Sequence, residues 1–115
     1  MKKYVVFFAF LFQVSQASAT FVDRNKLHLM LQAQNRVDAG GLEIADHLKT
    51  AHLLGYVKGL ADAADGRSLC ITNGAQGGQL VAIVAKYIDG NPGLWASSAN
   101  VLIVNALTPV FLCKK

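Results

Sequence analysis

Apolar and polar positions alternate with helical spacing along most of the chain. Between Arg24 and Gln34, Leu27, Met30 and Leu31 recur on one stripe, which predicts a first helix. Asp23 is placed to cap it, because its carboxylate can accept from free amides of the first turn. The stretch Asp38–Gly41 (DAGG) ends the pattern. From Leu42 to Ala64 there are two apolar stripes: Ile44, Leu48, Ala51 and Gly55 on one, and Leu53, Tyr56, Val57 and Leu60 on the other. A helix apolar on both faces is expected at the centre of a bundle. Gly66 supplies a left-handed C-terminal cap. A third helix is predicted over Ala75–Asp89, capped by Thr72 or Asn73. Its core stripe is Leu80, Val84, Tyr87 and Ile88, with Ile83 beside it. The run Asp89–Gly93 (DGNPG) stops it, and a fourth, mostly apolar helix covers Trp95–Leu107 with Pro109 just beyond. No convincing strand, internal repeat or low-complexity segment is present. The pattern predicts an all-α fold, a small bundle of about four helices with short connections.

The N-terminus has a different plan. Lys2 and Lys3 precede the apolar run Tyr4–Phe12, and Ala17-Ser18-Ala19 follows. A short positive region, an apolar core and an A-x-A site in that order describe a secretory signal peptide cleaved after Ala19. The run is too short to cross a bilayer, which takes roughly 20 apolar residues. Residues 1–19 are therefore read as the signal and 20–115 as one domain. Loss of Lys2 and Lys3 brings the formal charge from +4 to +2. The remaining basic residues are scattered, so nothing marks a nucleic-acid surface. The fourth helix is too short, and too interrupted by Asn100 and Asn105, to span a membrane.

Export decides how the two cysteines are read. Cys70 could be a nucleophile, but that chemistry needs a base within reach. His47 and His52 are the candidates, and nothing local marks a pairing. They are five residues apart, which is not the spacing of two ligands on one helix face, and two cysteines are too few for a structural zinc site. No catalytic, metal or cofactor site is assigned. In an oxidising compartment two cysteines of a small domain pair. A Cys70–Cys113 disulfide closes 43 residues of chain, worth about 4 kcal/mol in the loop-entropy treatment. Gly74–Gln79 (GAQGGQ) lacks the Lys-Ser/Thr pair of a phosphate loop. Gly55 and Gly59, with Tyr56 between them, are read as a packing motif for the close approach of two helices. Asp62 and Asp65 lie near a helix end, where a carboxylate opposes the dipole, and are read as solvated or as contact residues for a partner.

The ordered motifs carry a resemblance. Leu54–Ala63 (LGYVKGLADA), Leu69–Pro92 and Ala99–Cys113 resemble the Rap/Tai family of immunity proteins against type VI secretion amidase effectors. Gly55, Tyr56, Gly59 and Asp62 match its G-Y-x-x-G pattern and the following Asp. Cys70, Gln79, Leu80, Tyr87 and Pro92 match its middle section, with Ile88 in place of Leu. Ala106, Leu107, Phe111 and Cys113 match its C-terminal section. Thr72 and Leu112 stand where the family has prolines, and Leu53 stands where many members have a further cysteine. The resemblance covers about Ala51–Cys113. It implies a non-catalytic periplasmic protein that binds a peptidoglycan amidase and occludes its active site through a protruding loop or helix end. Several members are homodimers. The loops after the second and third helices are then the expected contact surface, with Asp65, Arg67, Asn73, Gln76, Asn91 and Trp95 as candidates. The alternatives are a general periplasmic helical binding or chaperone-like domain without a toxin partner, and an enzyme using Cys70.

Overall fold

The structure, a computed structural model, describes residues 22–93 and 97–114. The proposed signal and Trp95 lie outside the described residues. Four helices follow in order: α1 (Arg24–Asp38), α2 (Ile44–Ala64), α3 (Gly77–Asp89) and α4 (Ala99–Leu107). No strand occurs among the described residues, only a single bridge between Asp65 and Leu69. The all-α bundle read from the sequence is the fold observed.

Local chemistry sets the helix ends. Asp23 caps α1, accepting from the Lys26 amide at 2.7 Å. The helix runs past Gln34 to Asp38, further than the apolar stripe indicates. Its last turn is held from outside: Arg36 donates twice to the Asp46 carboxylate on α2, at 2.7 and 2.8 Å. The turn between the two helices is tight. The Gly41 amide donates to the Arg36 carbonyl at 2.9 Å, and a Cβ on Gly41 would lie 2.7 Å from that oxygen, so only glycine fits. At the start of α3 it is Gln76, and neither Thr72 nor Asn73, that occupies the cap. Gln76 and Gln79 exchange side chain-to-backbone bonds in a capping box, and α3 begins at Gly77, two residues later than expected. The fourth helix starts at Ala99, because Ser97 and Ser98 are not helical.

The core collects Leu27, Met30 and Leu31 from α1, Leu53, Val57 and Ala61 from α2, Leu80, Val84 and Ile88 from α3, and Leu102, Ile103 and Leu107 from α4. Helix α2 packs on α1, α3 and α4. Near the end of α3, Ile88 shares a cavity of about 350 Å³ with Arg24, Leu27 and His28 at the start of α1. Near the start of α3, Gly78 and Val81 share another with Gln34, Asn35 and Asp38. Helix α3 therefore runs antiparallel to α1.

One expectation fails. Helix α2 is not buried on both faces. Leu53 and Val57 are fully buried, but Ile44 is 76% and Leu48 66% exposed. At 100° per residue the two stripes lie on opposite sides of the helix, and all three neighbours pack against only one of them. Gly55 and Gly59 are on the exposed side, with nothing within 4 Å of where a Cβ would be. They do not bring two helices of this chain together. Tyr56 does pack against the core, and its partial burial pushes the phenol pKa up.

Asp46 is the one buried charged residue among those described. The hydrogen bonds from Arg36, with its charge adding to them, hold the carboxyl below its ordinary value of 3.8. A depressed carboxylate contributes stability above the ordinary value and loses it as pH falls through the lowered one. Thermal unfolding of the protein is expected to move to lower temperature as pH drops below about 4. Asp46→Asn should be less stable at neutral pH and should flatten that acid dependence. An unchanged pH profile in the variant, read by circular dichroism, would show that the pair is not linked to folding.

Candidate functional site

Residues 65–76 join α2 to α3, and nearly every turn of this segment is tied down. Gly66 has φ +76°, a left-handed conformation that favours glycine, and its amide donates to the Leu69 carbonyl at 2.8 Å. Arg67 and Leu69 donate their amides to the Ala64 carbonyl at 3.0 and 3.1 Å, so the chain folds back over the end of α2. The Asp65 carboxylate accepts from the Ile71 amide at 2.9 Å. Leu69 is fully buried and plugs the loop into the core.

The C-terminal tail closes the arrangement. The Cys70 amide donates to the Phe111 carbonyl at 2.9 Å, and a disulfide joins Cys70 to Cys113. Both cysteines are partly exposed, and no free cysteine remains. The pairing expected from export is present. A sulfur in this bond is not a nucleophile, so the thiol-enzyme reading has no thiol to work with. Phe111 is buried, while Val110 and Leu112 beside it are 55% and 65% exposed. Together, loop and tail line an open concavity of about 510 Å³ walled by Thr72, Asn73, Gln79, Ile83, Val110 and Phe111.

The candidate contact residues do not form one patch. Asp65, Arg67, Asn73 and Gln76 belong to the stapled loop. Asn91 lies past the other end of α3, about 20 Å from Gln76 by the rise of the helix. Trp95 is outside the described residues. Three of the side chains have local partners. Asp65 holds Ile71, Gln76 shares the capping box, and Asn91 Nδ2 donates to the Tyr87 carbonyl at 2.7 Å. Arg67 and Asn73 are exposed.

The exposed tail residues Val110 and Leu112 are not among the contact candidates read from the sequence. The signal was available: a disulfide from Cys113 to the loop puts the tail beside the loop. Histidine chemistry plays no part in this region. His47 lies at the other end of α2, with Nε2 3.0 Å from the Gly41 carbonyl, and His28 lies on α1 beside Gln32. Among the described residues no group of three or more His, Cys, Asp or Glu side chains could hold a metal. No helix among them is long and apolar enough to cross a membrane.

These features define a class: a small disulfide-stapled helical domain that displays a pinned loop with polar and apolar groups side by side. Such a surface is suited to protein recognition, because little loop entropy is lost on docking. The particular family is shown by the sequence. A family model for Rap1a immunity proteins matches residues 16–113, and the chain belongs to that family. The match reaches beyond the motif-bearing part to include α1. Searches of curated proteins and of solved structures returned no match. Members of an immunity family act by binding a secreted effector, and such proteins are generally not enzymes.

Proposed function

We propose that this protein is a periplasmic immunity protein that binds a type VI secretion peptidoglycan amidase and occludes its active site. The observation that carries the reading is the coincidence of family membership with a loop pinned on both sides and exposed at its tip. Export through residues 1–19 puts the protein where the amidase meets its substrate and where the disulfide forms. On this reading Arg67 and Asn73 form a polar rim and Val110 and Leu112 an apolar centre, the usual division of a protein interface. Asp65 and Gln76 shape the loop from within, and Asn91 belongs to a separate patch.

Periplasmic co-production with the amidase should keep cells intact, and a pull-down from periplasm should recover the amidase. Arg67→Glu should weaken that binding by about 10–100-fold, in the range of an interfacial arginine. Its thermal unfolding should be unchanged, since the side chain is exposed and makes no ion pair among the described residues. Full protection by the variant at wild-type affinity would place the contact elsewhere.

A further inference from the structure

The cavity of about 350 Å³ lies where the first turns of α1 meet the end of α3 and the start of α4. Its walls divide by chemistry. Leu27 and Leu31 of α1, Ile88 of α3 and Leu102 of α4 form the apolar part, and all four belong to the core. Arg24 and Asn25, in the first turn of α1, form the polar part, with His28 between the two. Arg24 carries the one fixed charge on the wall. Its side chain is exposed and makes no ion pair among the described residues. The nearest acids in sequence are Asp23 and Asp89, and neither lines the cavity. The Asp23 carboxylate is turned onto the Lys26 amide at 2.7 Å. The carbonyls at the end of α3 are also engaged. Lys86 accepts from the Gly90 amide, Tyr87 from Asn91 Nδ2 and Ile88 from the Asn91 amide.

We propose that this cavity binds a small amphiphilic carboxylate, with its apolar chain against Leu27, Leu31, Ile88 and Leu102 and its head group on Arg24. Charge selects the head group. A cation entering here meets a guanidinium and carbonyls that are already engaged. An anion meets the guanidinium, the Asn25 side-chain amide and a first helical turn without an acidic residue. A carboxylate on Arg24 can be held by two parallel hydrogen bonds, a geometry that a point charge does not offer. Size selects the chain. At roughly 30 Å³ per atom-sized volume, the cavity has room for about a dozen non-hydrogen atoms. An unbranched acyl anion of about ten carbons has that size, and a pocket lined by apolar side chains with a few placed polar groups is the kind that takes such ligands. Bound there, the ligand touches α1, α3 and α4 together, so binding is linked to the stability of the bundle.

NMR titration of the purified protein with sodium decanoate, without any effector, tests this separately from amidase binding. Decanoate should bind with a Kd of about 0.1 mM, the order that a dozen non-hydrogen atoms supports. Amide shifts should be confined to the cavity walls at residues 24–31, 88 and 102, and the unfolding midpoint should rise with ligand. Decylammonium has the same chain and the opposite charge, and it should leave those amides unmoved. Arg24→Glu should weaken decanoate by about tenfold or more with unchanged circular dichroism, since the side chain is exposed. Phosphatidylglycerol vesicles should leave the protein in solution. The proposal is overturned by a spectrum that millimolar decanoate does not change, by shifts scattered over other faces, or by decylammonium moving the same amides. It is equally overturned by an Arg24→Glu variant that binds decanoate as wild type does, or by co-sedimentation with the vesicles, which would make the site a membrane contact.

Discussion

Replacing both members of the Cys70–Cys113 bond with serine is expected to destabilise the protein by about 4 kcal/mol. The bond closes 43 residues, and loop-entropy treatment of a crosslink that long gives this value. A domain of this size has only about 5–15 kcal/mol of net stability. At about 4–8 °C per kcal/mol, the unfolding midpoint should fall by roughly 16–32 °C. The loss should not be spread evenly. The tail is attached to the loop by the disulfide, by the Cys70 amide on the Phe111 carbonyl, and by the buried Phe111 ring. Removing the covalent tie leaves one hydrogen bond and one side chain to hold it. Amides of the segment from Cys70 to Ala75 should therefore lose hydrogen-exchange protection before those of α1. A midpoint within a few degrees of wild type would mean that the staple contributes little to this fold.

The second large effect is expected at Leu69. It is fully buried, two residues beyond the exposed Arg67 and next to Cys70. Leu69→Ala removes most of a packed side chain and leaves a cavity, which costs about 2–5 kcal/mol. Because Gly66 and Leu69 are tied by a backbone hydrogen bond, that cavity sits directly beneath the displayed tip. The variant should lose stability and partner affinity together, whereas Arg67→Glu should lose affinity alone. The pair of variants thus separates a residue that shapes the loop from one that contacts through it. If Leu69→Ala matched wild-type affinity for the proposed amidase partner despite its lower midpoint, the loop's rigidity would be irrelevant to recognition.

Much of this architecture was legible in the sequence because it depends on short-range patterns. The stripe Leu27–Met30–Leu31, the Asp23 cap and the left-handed Gly66 are local features and appear where expected. The cysteine pair followed from compartment and count. What was not legible depends on distant partners. Apolar periodicity shows that α2 has two apolar faces, but it does not say that three helices all choose the same one. Nor could it show that Gln76 would take the cap from Thr72 and Asn73, since all three can bond the first turn. The Arg36–Asp46 pair joins residues ten apart across a turn whose geometry rests on Gly41. A basic residue ending one helix and an acid opening the next was the sequence clue. For the candidate site, the loop was found but its internal wiring was not. Asp65, Gln76 and Asn91 look like free polar groups in sequence, and each turns out to satisfy backbone at a turn or helix end. The tail residues Val110 and Leu112 gain their place only through the staple.

On the proposed function, the oxidised protein silences a cell-wall amidase by occupying its active site with this loop. Titration of the purified protein into a type VI secretion peptidoglycan amidase, with muropeptide release as the readout, tests this proposal. Release should fall to background at about one protomer per amidase, and Arg67→Glu should require a clear excess to do the same. An amidase that keeps full activity in a large excess of the wild-type protein would contradict it.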